Sequence, residues 1–272
     1  MDFDYAIHSD FLIHWTGKDI DNTYDPTWYD SWTAEGEKKA AAAYISRVSD
    51  ILEFGLWMTE EPGFALRFDE DVVCVPQTSR ICFTELRLSL SMRHAKQYGR
   101  LGIGVKRPFL FDRRGRPLVY FGRNAQRHND DFLRDCAHDL RDKRLLHFFK
   151  SMNSSPTLNY DFYAESEWRV IHQDDLVSRK LVVDPRDSSN PCEFAYYQSL
   201  SEHAQNKLKY LIPLDGWFTV IIYPGLEVKN AVRQDDRICQ LIRNIKSKDD
   251  NANRIEGGNW PVELCLADTR NF

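Results

Sequence analysis

The alternation of apolar and polar residues predicts short strands and a few helices. Residues 10–16 are apolar and aromatic and end at Gly17, which predicts a first strand. Over residues 35–54, apolar residues recur at intervals of three and four, which predicts a helix that Gly55 ends. A further apolar segment, residues 81–84, predicts an inner strand.

The middle of the chain combines strands with many charges. Residues 101–105 predict a strand whose two glycines indicate a close approach of neighbouring backbone. A hairpin-like turn at 112–116 then leads to a strand at 117–121. Residues 124–150 predict one long charged helix with an apolar side.

The last part of the chain again mixes both kinds of element. Residues 165–171 predict a strand that carries acids, and residues 181–183 are expected to pair with it. One helix is predicted over 226–245, and a final strand over 262–266.

Strands and helices do not alternate strictly, which favours an α+β fold over a parallel α/β fold. We therefore predict one α+β domain over residues 1–272, with a mixed, partly antiparallel sheet flanked by helices. No repeat and no linker marks a boundary within it.

Composition narrows the class of protein. No apolar run approaches the ~20 residues of a membrane span, and the first residues are acidic, unlike a secretory signal. The six cysteines are widely spaced without a C-x-x-C pair, so reduced thiols in the cytoplasm are expected. We predict a cytoplasmic protein with no membrane partner and no metal site.

Charge is distributed unevenly. Residues 1–92 carry a net charge of −10, residues 93–150 a net charge of +9, and the remainder −4. A basic middle between acidic flanks suggests an anionic ligand, internal complementarity or a solvated basic helix. The sequence leaves these three explanations open.

The segment Glu165-Ser166-Glu167-Trp168-Arg169 has the side chains best suited to catalysis or binding. As a strand, it places Glu165, Glu167 and Arg169 on one face. Buried charges must be paired or serve a purpose. The acids therefore line a cleft, form an ion pair with Arg169, or lie on a solvated face.

Three other residues could take part in catalysis or binding but also have a plain structural explanation. His14 fits a core histidine, and Glu85, after Thr84, fits a helix N-terminal cap. Tyr98 fits simple packing. The chain lacks a P-loop, a G-x-S-x-G elbow and an H-E-x-x-H motif, so no common catalytic motif decides the matter.

Several of these segments, taken in order, carry a family resemblance. They are Leu12-Ile13-His14-Trp15-Thr16-Gly17, Ile51-Leu52-Glu53-Phe54-Gly55-Leu56-Trp57, Cys82-Phe83-Thr84-Glu85-Leu86, Tyr98-Gly99-Arg100-Leu101-Gly102-Ile103-Gly104, Pro117-Leu118-Val119-Tyr120 and Glu165 to Arg169. Over residues 10–172 the chain resembles the bacterial abortive-phage-infection family named after AbiGi. It is also similar to a bacterial domain of unknown function with a CFSE…YG…GIGF…EWR signature. Residues 173–272 are expected to complete the fold.

That family resembles, more distantly, the ADP-ribosyltransferase fold, whose first strand carries a histidine or arginine and whose late strand carries a glutamate. The resemblance implies NAD as a substrate, with Glu167 stabilising the oxocarbenium-like transition state. It also implies that Glu165 positions or deprotonates the acceptor. The Trp-Arg that follows the glutamate departs from the usual transferase pattern.

The resemblance implies roles for the remaining residues too. His14 and Thr16 would hold the adenosine-side ribose, Tyr98 would stack on nicotinamide, and Arg100 or Arg169 would face the pyrophosphate. Thr84 and Glu85 would line the same cleft.

Two functional hypotheses follow. In the first, the protein is a NAD-dependent ADP-ribosyltransferase or NAD glycohydrolase in phage defence or a toxin–antitoxin system. In the second, it is a non-enzymatic defence component, an antitoxin or sensor. It would bind a protein or nucleic-acid partner through the basic stretch 93–150. A metal-dependent nuclease is a third, weaker hypothesis, because Glu85 with Glu165 and Glu167 is its one group of acidic ligands.

Overall fold

The structure of the protein is a computed structural model. The fold is α+β, and its sheet contains antiparallel and parallel strand pairs, as predicted. The described residues are 11–24, 34–68, 71–85, 88–121, 131–152, 166–247 and 260–271.

The chain contains thirteen described strands. In chain order they are β1 (Phe11–Thr16), β2 (Leu56–Glu61), β3 (Phe64–Phe68), β4 (Asp71–Val75), β5 (Thr78–Thr84), β6 (Leu101–Lys106), β7 (Arg116–Pro117), β8 (Val119–Phe121), β9 (Phe149–Ser151), β10 (Glu167–Ile171), β11 (Leu208–Ile212), β12 (Phe218–Tyr223) and β13 (Val262–Cys265).

Ten α-helices and three 3-10 helices are described as well. The α-helices are α1 (Lys18–Tyr24), α2 (Ala34–Phe54), α3 (Ser91–Tyr98), α4 (Arg107–Asp112), α5 (Asp131–Asp139), α6 (Asp174–Ser178), α7 (Pro191–Ser199), α8 (Glu202–Lys207), α9 (Leu226–Gln234) and α10 (Asp236–Ser247). The 3-10 helices are Leu88–Leu90, Lys143–Phe148 and Asp268–Asn271.

The described residues form two compact units. Unit 1 comprises Met1–Leu56, Glu85–Phe109 and Pro213–Phe272, and unit 2 comprises Trp57–Thr84 and Leu110–Ile212. That the whole chain is a single domain stays a prediction.

In unit 1, four strands lie in the order β1-β6-β12-β13. β6 pairs antiparallel with both β1 and β12, whereas β12 and β13 are parallel. Close approach to β6 requires its glycines, as predicted: a Cβ on Gly104 would lie 2.6 Å from the Cβ of Val220. Burial of the apolar side chains that meet on this sheet, Ile13, Val220 and Ile222 among them, stabilises the unit.

Helix α2 confirms the prediction from periodicity. Its apolar residues Tyr44, Val48 and Ile51 are buried, as the spacing requires. Gly55 ends the helix with a positive φ of 108° and donates its N–H to the Ile51 carbonyl at 2.9 Å.

In unit 2, the strands β11, β2 and β5 are neighbours in that order, and β10 lies between β5 and β7. β10 pairs antiparallel with both. The pairs β3–β4 and β8–β9 form two further small sheets, the second of them parallel.

The single helix predicted over 124–150 is wrong within the described residues. Helix α5 ends at Asp139, and the chain continues as the 3-10 helix Lys143–Phe148 and then as β9. The Asp142 carboxylate accepts the Arg144 N–H at 3.0 Å, which ends one helical path and caps the next. Lys143 donates to the Ala137 carbonyl and so caps the end of α5. Residues 124–130 lie outside the described residues.

Three smaller predictions are corrected as well. The helix predicted over 226–245 is broken at Asp235, whose backbone is extended and whose carboxylate accepts the N–H of Ile238 at 3.0 Å. The segment 181–183 does not pair with β10, because β5 and β7 occupy both edges of that strand; Val183 pairs with Leu211 instead. The turn at 112–116 follows α4 and leads into β7, so it is not a hairpin from β6.

Candidate functional site

Glu167 is the centre of a buried charged cluster in unit 2. The residue is 7% exposed. Arg169 Nε donates to Oε1 at 2.6 Å and Arg169 Nη2 donates to Oε2 at 3.2 Å. Lys150 Nζ donates to Oε2 at 2.7 Å. We call Cys82, Lys150, Glu167 and Arg169 the Glu167 cluster.

The ion pairs set the protonation states within the Glu167 cluster. Burial raises the pKa of the Glu167 carboxyl, but Arg169 and Lys150 and their hydrogen bonds outweigh burial and lower it to about 2. Burial, with the charge of Glu167, raises the pKa of the Cys82 thiol to about 12. At neutral pH the carboxyl is therefore ionised, and the thiol is a neutral donor instead of a nucleophile.

The β10 backbone fixes this cluster in place. Glu167 lies opposite Thr84 in the β5–β10 register, and its N–H donates to the Tyr120 hydroxyl at 3.0 Å. Arg169 lies opposite Cys82 and also donates Nη1 to the His147 carbonyl. Alternation along β10 places Glu167 and Arg169 on one face, and the ion pair between them, one of the three alternatives for this segment, is present.

The acceptor capacity of Glu167 is filled. An ionised carboxylate offers about four lone-pair sites. Arg169 uses two of them, and Lys150 and the Cys82 thiol use one each. The carboxylate has one negative charge beside two cations, so the described cluster is net positive. Such a cluster suits an anion better than a developing cation.

A second polar cluster lies in unit 1 at the end of β1. The Oδ1 atom of Asp21 accepts from Tyr44 Oη at 2.8 Å and from Arg100 Nε at 2.9 Å. Tyr44 Oη also accepts from the Arg100 N–H at 3.2 Å. Thr16 accepts from Arg47 Nη1 at 3.1 Å, and Arg47 pairs with Asp19 at 2.6 Å. We call Asp21, Tyr44 and Arg100 the Asp21 cluster.

The other predicted site residues are placed as follows. His14 is half-buried on β1, two residues before Thr16 and opposite Ile103. Glu85 is buried and pairs with Arg107, which is within unit 1. Tyr98 is partly exposed at the end of α3, with its ring 5.9 Å from that of His94. Glu165 lies outside the described residues.

The structure therefore groups some of the predicted residues. Thr84, Glu167 and Arg169 lie together in unit 2, and Thr16 and Arg100 lie near the end of β1 in unit 1. Sequence reasoning missed Cys82, Lys150, Asp21 and Tyr44 as members of polar clusters. Tyr44 has only the signal of a core helix residue, and Lys150 lies in a segment that periodicity predicts as helix, so no local pattern identifies them.

Internal acids neutralise part of the basic stretch 93–150. Arg100, Arg107, Arg114 and Lys150 pair with acids from outside it, and Arg134 and Arg144 pair with acids inside it. Arg116, by contrast, is exposed and donates to its neighbour's carbonyl, from Nη1 to Gly115 O at 2.8 Å. The stretch contributes to both units and is not one uniform basic helix.

The comparisons add no family. The chain matches no protein-family model, no curated protein and no solved structure. In the part of the chain that the structure describes, no group of His, Cys, Asp and Glu side chains has the arrangement of a metal site. None of the helices in those residues has the length and apolar character to cross a membrane.

Proposed function

We propose that the protein is a non-enzymatic component of phage defence that binds nucleic acid through cations of the basic stretch 93–150. The setting in phage defence comes from the resemblance to the AbiGi family. One observation carries the non-enzymatic part: both oxygens of Glu167 are bound by cations of the same chain. A carboxylate held in this way stabilises unit 2 and has no site left for a ribose hydroxyl.

The anionic character of the partner follows from charge. The basic stretch keeps a net charge of +9 in a chain whose net charge is −5. Acids from elsewhere in the chain neutralise four of its cations, which leaves a positive surplus for a ligand. Phosphates attract such a surplus, and their binding weakens steeply with salt.

The second candidate is a NAD-dependent ADP-ribosyltransferase or NAD glycohydrolase. Two observations favour it: the Glu167 carboxyl is ionised and rigidly oriented, and Thr16 and Arg100 lie near each other at the end of β1. This candidate requires Glu167 to act on the substrate. It also requires that a ligand displace at least one of the present donors of Glu167.

A single set of proteins separates the two candidates. We would measure NAD consumption by wild type, Glu167→Gln and Glu263→Gln, each below its own melting temperature and with bacterial lysate as acceptor. Glu263 is the matched control, because it is a glutamate with a 1% exposed side chain that accepts from Tyr223 at 2.7 Å and pairs with Arg233 in unit 1. We expect none of the three to consume NAD. Consumption by wild type and Glu263→Gln, but not by Glu167→Gln, would establish the enzyme.

Nucleic-acid binding by wild type is then measured across a salt series. We expect log Kd to rise linearly with log salt, with a slope that counts the phosphates contacted. Absence of binding at low salt would exclude the proposed partner.

A further inference from the structure

The turn between α4 and β7 exposes an aromatic ring among arginines. Phe111 is 49% exposed. Its ring centroid lies 5.9 Å from that of Trp168, and the Arg116 guanidinium carbon lies 6.0 Å from it. The Arg114 side chain is 52% exposed in the same turn. We call Phe111, Arg114 and Arg116 the turn platform.

The turn platform is held rigidly. Gly115 donates its N–H to the Leu110 carbonyl at 2.6 Å, and Arg114 donates its N–H to the Phe111 carbonyl at 3.0 Å. A Cβ on Gly115 would lie 2.8 Å from Leu110 Cβ and 3.1 Å from Val170 Cγ2, so the turn is packed tightly against β10. An exposed ring on such a turn loses little conformational entropy when it binds.

The platform also connects to the β10 sequence that carries the family resemblance. Trp168, on β10, lies opposite Pro117, and its ring contacts the Phe111 ring at an interplanar angle of 56°. Glu167 and Arg169 on either side of it hold β10 by their own ion pair. The acid–tryptophan–arginine segment therefore builds the base of the platform.

The platform keeps a positive surplus. Arg114 pairs with Asp175 at 2.8 Å, an acid that Arg179 also approaches at 4.0 Å. Among the described residues, Arg116 makes its hydrogen bond to a carbonyl and not to a carboxylate. A guanidinium with remaining donors beside an exposed ring fits a ligand that combines flat bases with phosphates.

We infer that the turn platform binds single-stranded nucleic acid, with a base stacked on Phe111 and a phosphate on Arg116. The inference rests on the proposed function and names the kind of nucleic acid and the surface. Stacking on an aromatic ring requires an unpaired base, which a duplex does not offer.

The test compares substitutions that separate stacking from charge. The probes are fluorescent single-stranded DNA and RNA of about 16 nucleotides, a length near the upper site size of single-strand binding domains, with the matching duplex. Phe111→Leu removes the ring and keeps an apolar side chain. Phe132→Leu is its control, because Phe132 is a 58% exposed phenylalanine on α5. Melting temperatures confirm that each variant folds.

We expect wild type to bind the single strands more tightly than the duplex. Phe111→Leu should weaken single-strand binding about tenfold, whereas Phe132→Leu should not change it. Arg116→Gln should lower the salt slope by about 0.7, the value for one lost phosphate contact on a single strand. Arg116→Lys should keep that slope.

Three outcomes would overturn the inference. Equal affinity for single strand and duplex, with no effect of Phe111→Leu, would exclude the turn platform as the binding surface. The proposed function would still stand. An acidic peptide that binds wild type more tightly than the oligonucleotides, and loses affinity in Phe111→Leu, would assign the platform to a protein partner. No binding of any nucleic acid would overturn the inference and the proposed function together.

Discussion

Two buried carboxylates, one in each unit, are satisfied in different ways. Asp21 in unit 1 is 1% exposed and bonds through Oδ1 to a phenol and one arginine. Its Oδ2 is buried without a hydrogen-bond partner among the described residues. Glu167 in unit 2 has cations on both oxygens and a thiol donor besides.

The two clusters differ in net charge and in the number of free hydrogen-bond acceptor sites on the carboxylate. In the Asp21 cluster, one cation balances one anion and an acceptor site stays open. In the Glu167 cluster, two cations exceed one anion and the acceptor sites are full. Removing the charge of Glu167 therefore leaves more uncompensated positive charge than removing that of Asp21. The following experiments test this ordering from the largest expected effect to the smallest.

The largest effect is expected from Glu167→Gln. Loss of this charge leaves Arg169, which is 5% exposed, without its buried counter-ion. Breaking a buried pair in this way costs about 3–5 kcal/mol of unfolding free energy. Urea unfolding at neutral pH measures the loss.

Lys150→Gln provides the contrast within the same cluster. Because Arg169 still balances Glu167, this variant should lose less than Glu167→Gln does, about 2 kcal/mol, the value of one hydrogen bond to a charged group. The double variant Glu167→Gln, Lys150→Gln should recover part of the Glu167→Gln loss, since one surplus cation is gone. A double variant as unstable as the sum of the single variants would show that the excess charge is unimportant.

The next effect is a pH dependence. The pKa of the folded Glu167 carboxyl, about 2, lies below its ordinary value of 4.5, so the unfolded chain binds the proton more tightly. The stabilisation is complete above pH 4.5 and is lost as the pH falls from 4.5 towards 2. This pKa difference corresponds to about 3 kcal/mol.

Unfolding curves of wild type and Glu167→Gln at several pH values measure this pH-dependent stabilisation by Glu167. The stability difference between the two proteins should shrink as the pH falls below 4.5. His147 also makes the folded protein less stable at acidic pH, because burial lowers its pKa. This contribution is the same in both proteins and does not affect the difference between them. A difference that stays constant down to pH 2 would contradict a lowered carboxyl pKa.

A smaller effect is expected from Asp21→Asn. The amide oxygen can still accept from Tyr44, and Arg100 keeps 14% of its side chain in contact with solvent. The loss should be about 2 kcal/mol, near the value of one charged hydrogen bond. A loss equal to that of Glu167→Gln would remove the distinction between the two clusters.

The smallest effect is expected from Tyr44→Phe. It removes one hydroxyl, which donates to Asp21 and accepts from the Arg100 N–H, and keeps the buried ring. We expect a loss of about 1 kcal/mol in thermal or urea unfolding. Val48→Ala, one turn further along α2 and fully buried, is the control for packing, and it should cost more because it leaves a cavity.

Local patterns in the sequence determined much of the fold. The spacing of Tyr44, Val48 and Ile51, with Gly55 after them, was sufficient for α2 and its end. Alternation along β10 placed Glu167 and Arg169 on one face. The glycines of β6 indicated close strand packing before any neighbour was known. Each of these features depends on residues adjacent in the chain.

The tertiary structure alone decided the partners. Lys150 reaches Glu167 from β9, and Cys82 reaches it from β5, 85 residues earlier in the chain. Asp142 interrupts the helical path at 140–150 through a side-chain cap that competes with the periodicity. The charge balance of a buried acid depends on which strands pair, and the periodicity of one segment shows which face is buried but not which strand is its partner.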